Sequence, residues 1–338
     1  MTTDHVFIWG AGAMGGTIGA HLARAGRSVT FIDTDDAHVA AIRDRGLRLT
    51  GPIDDFVVRA SCVHPDRLDG DLGTVLLAVK AHHTGAAIAA IEPRLAPDGL
   101  VVSVQNGLNE MEIAERIGAD RTMGCFVNFG ADVVEPGVIL RGNRGSVVVG
   151  ELDGARTQRT RSVHELLCLF EPDAVLTDNI WGYLWGKLAY GSMLFATALS
   201  GDSIADVLDS KEHRPLLIEL AREVLAVAAA RGVRHEAFDG FDPAPFMPGA
   251  SEAGARASLD ALVRFNRASA KTHSGVWRDL AVRKRRTEVD AQIAPIVTLG
   301  AEVGIHTPRT RRLVALIHDV EEGRRSQGRV TLDALGEG

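Results

Sequence analysis

The sequence predicts an α/β first half followed by an all-helical second half. Up to about residue 150, short apolar runs alternate with helix-like stretches, which is typical of repeated β–α units. Beyond that point apolar residues recur at helical spacing instead. With 338 residues and 46% hydrophobic content, the chain is at the upper limit of what a single core covers, so we expect two domains. We place them at residues 1–178 and 179–330.

The individual elements follow from these patterns. The apolar runs predict five strands, at Val6–Trp9, Ser28–Ile32, Thr74–Val79, Leu100–Val104 and Val147–Val149. The helical periodicity predicts five helices, at Leu184–Leu199, Leu216–Ala230, Leu259–Phe265, Val289–Leu299 and Leu313–Val320. The segment Arg234–Gly249 contains three prolines, Pro243, Pro245 and Pro248, which cannot continue a helix. It is therefore a predicted loop within the helical half.

Composition excludes several classes of protein. The net charge is −7, from 37 Lys and Arg against 44 Asp and Glu, so no basic field favours nucleic acid. The three cysteines, Cys62, Cys125 and Cys168, suit a reducing compartment better than a disulfide framework. The sequence contains no run of about 18 to 20 apolar residues, and its first residues lack a basic region followed by a cleavage site. We therefore expect a cytoplasmic protein that binds no membrane and no metal, and a homodimer is left open.

A glycine-rich turn follows the first predicted strand directly. Gly10 allows a tight turn, Gly12 lets the backbone approach a pyrophosphate, and Gly15 lets the next helix pack close to the strand. The helix N-terminus offers N–H groups and a positive dipole end to an anion. An ordinary strand-to-helix connection is the alternative. The context favours a dinucleotide site on a Rossmann-type, doubly wound parallel sheet, with the candidate residues Gly10, Ala11, Gly12, Ala13, Met14 and Gly15.

Asp33 is the acidic residue that such a site requires. It lies 18 residues beyond Gly15, at the end of the second predicted strand, where a carboxylate accepts hydrogen bonds from ribose hydroxyls. It would repel a 2′-phosphate, and no Lys or Arg follows before Arg43. We therefore favour NAD(H) as the cofactor, while NADP(H) stays open because a nearby loop can supply an arginine. For the neighbouring Asp35 and Asp36, capping of the next helix is the alternative.

Lysine is rare in this chain, since only five of the 37 basic residues are Lys. Arginine does not release its proton near neutral pH, so a retained lysine points towards proton transfer. Lys80 ends the third predicted strand, and Lys187 lies in an apolar helix, where a surface lysine with a buried stem is the alternative. Asn106 stands at the end of the next strand, where a doubly wound sheet binds its ligands. The alternative for Asn106 is a turn residue.

Five motifs occur in a fixed order, and together they resemble the ketopantoate reductase (2-dehydropantoate 2-reductase) family. They are GlyAlaGlyAlaMetGly from Gly10, ValLysAla with Lys80, GlnAsnGly with Asn106, TrpGlyLysLeu with Lys187, and ArgThrGluValAsp with Glu288. The resemblance covers nearly the whole chain. It implies a Rossmann domain, a helical domain like that of 6-phosphogluconate dehydrogenase, and an active site in the cleft between them.

The resemblance also implies roles for single residues. Lys187 matches the proton donor, and Asn106 matches an asparagine that contacts cofactor and substrate. Glu288 matches a glutamate that closes over the cofactor and the reactive centre, and Lys80 matches a lysine that lines the cofactor site. Because Thr287, Glu288 and Asp290 also fit a capping box, helix initiation is the alternative reading of Glu288.

Several positions depart from the family pattern. Gly191 and Phe195 stand where the family commonly has two substrate-binding asparagines. They lie one and two helical turns beyond Lys187, so we expect both on its face of the helix. Ser274 is a candidate for the substrate carboxylate. Asp33 stands where NADPH-using members have a basic residue. The departures predict a bulkier or more apolar substrate than ketopantoate, with core packing as the alternative for Phe195. One residue of a basic run could bind the carboxylate, although such a run is typical of a solvated helix face: Arg278, Arg283, Lys284, Arg285 and Arg286.

The predicted reaction is the NAD(P)-dependent reduction of a 2-oxo acid to the 2-hydroxy acid, with protonation by Lys187 and orientation of that ammonium by Glu288. One alternative is an NAD-dependent hydroxy-acid or sugar-acid dehydrogenase that works in the oxidative direction. Another is a non-catalytic NAD-binding redox sensor, which would need neither Lys187 nor Glu288. The small-molecule substrate itself is not determined by the sequence.

Overall fold

The computed structural model describes residues 5–268 and 272–337. The chain divides into two compact units, Met1–Ile180 and Trp181–Gly338, which are called the N-terminal and C-terminal units below.

The N-terminal unit alternates strands and helices. Its described strands are β1 (His5–Trp9), β2 (Ser28–Ile32), β3 (Leu47–Thr50), β4 (Phe56–Val58), β5 (Ser61–Val63), β6 (Leu72–Leu77), β7 (Leu95–Ser103), β8 (Thr122–Val127), β9 (Gly130–Glu135), β10 (Val138–Asn143), β11 (Val147–Glu151) and β12 (Val175–Leu176). Its helices are α1 (Ala13–Arg24), α2 (Asp36–Arg45), α3 (Thr84–Ile91), α4 (Asn109–Ile117) and α5 (Gln158–Cys168).

The main sheet has eight strands in the order β12-β11-β8-β7-β6-β1-β2-β5. The strands from β5 to β8 in this order are all parallel, and β11 runs antiparallel to β8. The order β5-β2-β1-β6-β7-β8 is that of a doubly wound sheet, and its direction reverses between β1 and β6. The predicted fold class is therefore confirmed. Ligands of such sheets bind at the carboxyl ends of the strands beside this reversal.

Apolar side chains cover both faces of the sheet. Ile8 packs in one hydrophobic cluster with Ile18 of α1, whereas its neighbour Trp9 packs in a second cluster with Ile88 of α3 and Ile113 of α4. Successive residues of a strand point to opposite faces, so β1 is buried from both sides. Each fully buried side chain of this size contributes about 1.5–3 kcal/mol to stability. This rigid platform positions the turns at the ends of β1, β6 and β7.

A second sheet, in the order β4-β3-β10-β9, packs against α1. The sequence did not predict it. Its strands have only three to six residues, and the parallel pairing of β10 with β3 joins segments about 90 residues apart. Side-chain periodicity over so few residues is weak, and long-range pairing leaves no local signal. Ile139 of β10 packs onto Gly16 of α1, where any Cβ would overlap it.

The C-terminal unit is helical. Its described helices are α6 (Ile180–Thr197), which begins at the last residue of the N-terminal unit, α7 (Ile204–Asp209), α8 (Arg214–Ala230), α9 (Glu252–Ala268), α10 (Gly275–Ala281), α11 (Val289–Gln292), α12 (Ala294–Glu302), α13 (Pro308–Glu321) and α14 (Arg329–Asp333). The helix predicted at Val289–Leu299 is in fact two helices that meet at Ile293, because Pro295 starts a new first turn. None of the described helices combines the length and the apolar character that a bilayer crossing needs.

Candidate active site

The glycines of the turn after β1 allow close packing of the chain at two positions, Gly10 and Gly15. Gly10 has φ of +100°, and a Cβ there would lie 2.8 Å from the Val79 backbone nitrogen, so β1 and β6 end almost in contact. At Gly15 a Cβ would overlap the Gly10 carbonyl oxygen and lie 2.7 Å from the Ala78 Cβ. Only glycine lets α1 pack this closely against the two strands.

Gly12 differs, because a Cβ there would meet no atom within 4 Å. It is the N-cap residue of α1, no side chain caps this helix, and its first turn contains no acidic residue. The first-turn N–H groups and the positive end of the helix dipole therefore border open space. Both the shape and the charge of this turn, with half-buried Ala13 and Met14 beside it, fit a pyrophosphate.

Asp33 lies at the end of β2 and holds the same turn. Its Oδ2 accepts the Ala11 N–H at 2.8 Å, and its Oδ1 accepts the Asp35 N–H at 3.0 Å. Each carboxylate oxygen keeps a second acceptor site, so ribose hydroxyls can still donate to it. Among the described residues, no Lys or Arg forms an ion pair with Asp33. Asp35 caps α2 by accepting the Ala37 and His38 N–H groups, as its alternative reading predicted.

Lys80 and Asn106 lie just beyond β6 and β7, at the carboxyl edge of the sheet. The Gln105 side chain ties the two turns together by donating from Nε2 to the Val79 carbonyl at 2.9 Å. Asn109 donates from Nδ2 to the Asn106 carbonyl at 2.8 Å. Gln105 and Asn109 are buried, whereas the Asn106 side chain is exposed. The turns after β6 and β7 are therefore held by buried side chains, whereas the Asn106 amide is exposed.

Lys187 lies on a half-buried face of α6 that also includes Tyr183, Tyr190, Gly191 and Leu194. These positions recur at helical spacing and share one side of the helix. A Cβ at Gly191 would meet no atom within 4 Å, so open space lies one turn beyond Lys187.

Phe195 does not belong to this face. Its side chain is only 2% exposed, and eight residues overshoot two full turns, whereas seven nearly complete them. Leu194 therefore takes the position two turns beyond Lys187 at which Phe195 was predicted. The burial of Phe195 matches the alternative of core packing.

The proline-containing segment Arg234–Gly249 forms no α-helix and packs against α6. A Cβ at Gly186 would lie 3.1 Å from the Glu236 carbonyl oxygen, so glycine permits this close approach. The Tyr190 and Phe241 rings stack at 5.4 Å, and Asn266 donates from Nδ2 to the Tyr190 hydroxyl at 3.2 Å. Burial raises the pKa of Tyr190, although the hydrogen bond from Asn266 acts in the opposite direction. The segment thus borders the helix turn that contains Lys187.

Glu288 is the N-cap residue of α11 and is half-buried. The residue before it, Thr287, donates both its backbone N–H and its hydroxyl to the Glu321 Oε1 of α13, each at 2.7 Å. The Thr287 hydroxyl oxygen in turn accepts the Val289 N–H at 3.2 Å. Three hydrogen bonds therefore fix the backbone on both sides of Glu288, and the predicted helix start is present together with the candidate glutamate.

Ser274 is buried and caps α10, where its Oγ accepts the Trp277 N–H at 3.1 Å. Of the basic run, Arg278 lies within α10, whereas the other four residues follow the end of the helix at Ala281 and so do not form the solvated helix face that is typical of such a run. Instead the run turns around the buried carboxylate of Asp279, which accepts from Arg283 Nη1 at 3.1 Å and Arg285 Nε at 2.9 Å.

Three side chains that contact candidate residues or their direct neighbours in the chain were not singled out by the sequence. Glu321 had a detectable signal, since an acidic residue in the last turn of a helix opposes the helix dipole. The sequence signal at Gln105 was weaker and consisted only of a polar residue directly after an apolar strand. His38 had none, because its ring contacts residues 27 and 99 positions away.

Comparison with known proteins identifies the family. Residues 6–154 match the family profile described as "Ketopantoate reductase PanE/ApbA", and residues 179–321 match its partner, "Ketopantoate reductase PanE/ApbA C terminal". The chain belongs to the ketopantoate reductase family. The resemblance inferred from the five motifs is thus confirmed, and the protein is an oxidoreductase that acts on CH–OH groups with a pyridine nucleotide.

Individual relatives agree with the family assignment. The 2-dehydropantoate 2-reductase of Mesorhizobium japonicum is 30% identical over 92% of this chain and 96% of its own. That of Pyrococcus horikoshii is 25% identical over the same shares. Among solved structures, a ketopantoate reductase from Ralstonia eutropha JMP134 has a TM-score of 0.78 at 27% identity, covering 95% of this chain and 99% of its own. D-mandelate dehydrogenase with NADH and anilino(oxo)acetate shares the fold, with a TM-score of 0.82, 21% identity, and coverage of 94% and 99%.

Proposed function

We propose that this member of the ketopantoate reductase family reduces a 2-oxo acid to the corresponding 2-hydroxy acid, with NADH as the preferred cofactor and Lys187 as the proton donor. The N-terminal unit would hold the dinucleotide, and residues of the C-terminal unit would act on the substrate. The observation that carries the proposal is the half-exposed face of α6, where Lys187 lies one turn from the open space at Gly191.

The N-terminal unit supplies the groups that a dinucleotide needs. The uncapped N-terminus of α1 would hold the pyrophosphate between Gly10 and Gly15. Asp33 would accept the ribose hydroxyls on its remaining acceptor sites. Lys80 would line the cofactor site, and the exposed Asn106 amide would contact both cofactor and substrate. A nicotinamide, when bound, supplies the hydride.

Lys187 would supply the proton. Reduction of a carbonyl carbon leaves negative charge on its oxygen, and an ammonium at this oxygen neutralises the charge by donating a proton. General acids of this kind typically contribute about 10²- to 10⁴-fold to rate. Glu288, held by the Thr287–Glu321 hydrogen bonds, would orient the ammonium. Ser274 would bind the substrate carboxylate, because its Oγ only accepts from Trp277 and its hydroxyl hydrogen is left to donate.

The substrate pocket would favour a bulky or apolar acyl group. Gly191 and Leu194 share the face of Lys187, so neither of the positions one and two turns beyond it offers an amide. A site that lacks such groups discriminates between apolar substrates by only about 1–3 kcal/mol per group.

A second candidate is the oxidation of an aromatic 2-hydroxy acid, favoured by the space at Gly191 and by the fold shared with D-mandelate dehydrogenase.

The test is a substrate panel measured in both directions. Ketopantoate, longer aliphatic 2-oxo acids and benzoylformate are assayed with NADH and NADPH, and the corresponding hydroxy acids with NAD and NADP. We expect the highest kcat/KM for one of the larger acids. A wide preference for ketopantoate would contradict the pocket argument. Binding of NADH without turnover of any member would favour a redox sensor.

The Lys187→Met variant, measured in the same assays, tests whether Lys187 is the proton donor. We expect kcat to fall at least about a hundredfold with little change in NADH affinity, because only a transition-state interaction is lost. Lys187→Arg should also be poor, since arginine retains its proton. Lys211→Met, at an exposed lysine of the C-terminal unit, is the matched control and should retain activity. Near-normal turnover of Lys187→Met would remove Lys187 from the mechanism.

A further inference from the structure

The His38 ring connects the glycine-rich turn to the turn between β9 and β10. Its Nε2 lies 2.9 Å from the Ala11 carbonyl oxygen, and its Nδ1 lies 3.1 Å from the Gly137 backbone nitrogen. A carbonyl only accepts and a backbone N–H only donates, so the contacts assign both ring nitrogens. Nε2 carries the hydrogen and donates to Ala11, while Nδ1 accepts from Gly137. The residue is only 4% exposed, which shields these bonds from water.

Ala11 is therefore held through both of its backbone polar groups. Its N–H donates to Asp33 and its C=O accepts from His38. The residues on either side, Gly10 and Gly12, have the widest backbone freedom of any residue type. The Gly10 N–H donates to the Ile32 carbonyl at 2.8 Å, and the Gly12 carbonyl accepts the Gly16 N–H at 2.7 Å. Between these two ends, the hydrogen bonds of Ala11 set the path of the chain, so the position of Gly12 at the open start of α1 depends in part on them.

We propose that His38 is a positioning residue of the dinucleotide site. As the neutral Nε2–H tautomer, it holds the Ala11 carbonyl so that Gly12 and the first turn of α1 are already placed for a pyrophosphate. Preorganisation of this kind raises affinity because the turn is already ordered, so little conformational entropy is lost when the ligand binds. His38 acts through Ala11 and does not itself contact the nucleotide. The inference rests on the proposed dinucleotide site.

Two substitutions separate the two hydrogen bonds of the ring. In glutamine, the amide nitrogen is as many bonds from Cβ as Nε2 is in histidine, so His38→Gln can keep the donor to Ala11. In asparagine, the amide oxygen matches Nδ1, so His38→Asn keeps only the acceptor for Gly137. We expect His38→Asn to raise the Kd for both NADH and NADPH at least about tenfold. His38→Gln should stay within about threefold of the unsubstituted protein.

The Kd values are measured by nucleotide fluorescence, with circular dichroism and Tm as checks of folding. His164→Asn is the matched control, because His164 Nε2 lies 2.8 Å from the Ala174 carbonyl in the same unit. Ala174 immediately precedes β12, at the opposite end of the sheet from β2 and β5. Loss of this equivalent bond should leave the Kd unchanged.

Folded His38→Asn with an unchanged Kd would overturn the inference alone, as would an equal loss of affinity in His164→Asn. Failure of the unsubstituted protein to bind either nucleotide would overturn the dinucleotide site and this inference with it. A ¹⁵N NMR spectrum of the unsubstituted protein tests the tautomer of the His38 ring directly, and this test does not require any variant to fold. The His38 resonances should be those of the Nε2–H tautomer, and an Nδ1–H tautomer would overturn the proposal.

Discussion

Asp33 combines a structural and a binding role in one carboxylate. It holds the turn at Ala11 and Asp35 by hydrogen bonds, and its charge acts on its surroundings. The neighbouring Cys62 shows this effect, since its pKa is raised to about 12, first by burial and then by the Asp33 carboxylate, against a smaller lowering by Arg43. The end of β2 is therefore a place where a further negative charge is unfavourable, and a 2′-phosphate would bring such a charge.

Cofactor preference follows from this charge. We expect NADH to bind at least about tenfold more tightly than NADPH, a difference of about 1.4 kcal/mol. Asp33→Asn keeps an acceptor for the Ala11 N–H, gives up the acceptor for the Asp35 N–H and removes the charge, so it should reduce this preference while the hydrogen bond to Ala11 is retained. Titration of both nucleotides by fluorescence measures the ratio. Asp44→Asn, at an exposed carboxylate at the other end of α2, is the control. A tenfold preference for NADPH in the unsubstituted protein would contradict the role given to Asp33.

At the scale of single elements, α1 starts without a side-chain cap. A glycine N-cap costs only a few tenths of a kcal/mol relative to Ser, Asn or Asp, so the helix loses little stability by leaving its first turn open to an anion. The stability of this element depends instead on its packing, at Gly15 against β1 and β6 and at Gly16 against β10. Binding and packing thus depend on different glycines of the same short segment.

A pair of alanine substitutions separates these two requirements. Gly12→Ala should fold normally, because φ at Gly12 is −66° and the new methyl group meets no atom within 4 Å. It should nevertheless weaken NADH binding at least about tenfold, since that methyl group occupies the space proposed for the pyrophosphate. Gly15→Ala should lower stability by about 1–3 kcal/mol through overpacking. Thermal melts and NADH titrations of both variants provide the measurement, and normal NADH affinity in Gly12→Ala would refute the assignment.

At the scale of the whole molecule, buried ionisable groups make folding sensitive to acid. Burial lowers the pKa of His21, and the nearby Asp54 only partly offsets this effect. For Asp54, burial alone would raise the pKa, but hydrogen bonds from Arg141 and His21 hold it below its ordinary value. For Glu151, hydrogen bonds from Arg159 and neighbouring threonines outweigh burial in the same way. All three groups bind protons less readily in the folded chain than in the unfolded chain.

The stability of the protein should therefore fall as the pH falls. Where the unfolded state binds more protons, the free energy of unfolding rises with pH. The free energy of unfolding should begin to decrease below pH 6.5, the ordinary pKa of histidine. It should decrease further below pH 4.5 and pH 3.8, the ordinary pKa values of the Glu151 and Asp54 carboxyl groups. Thermal unfolding at pH 7.5, 5.5 and 4.0 tests this, with Tm expected to decrease in that order. Glu151→Gln should lower Tm at pH 7.5 and weaken the dependence at the acid end. A Tm that is constant or higher at pH 4.0 would contradict the prediction.

Much of the N-terminal unit was predictable because its signals are local. The apolar run before Gly10 and the glycine spacing predicted β1, the turn and α1, since each depends on a few consecutive residues. The second sheet was not predictable, because Leu49 and Ile139 pair across the chain and neither segment alone has a clear period. Phe195 was misplaced for a related reason: spacing along a helix says which side chains share a face but not which face the rest of the molecule covers.

The sequence by itself determined the two-part α/β and helical organisation, the glycine-rich turn with Asp33, and the family to which Lys187 and Glu288 point. These depend on backbone conformation and residue chemistry, which are properties of short segments. Only the tertiary structure decided that His38 and Asp33 hold Ala11, that Glu321 holds Thr287, and that Leu194 rather than Phe195 shares the face of Lys187. Those outcomes depend on which distant groups are brought within hydrogen-bond distance or buried together, and that is settled by the packing of the whole chain.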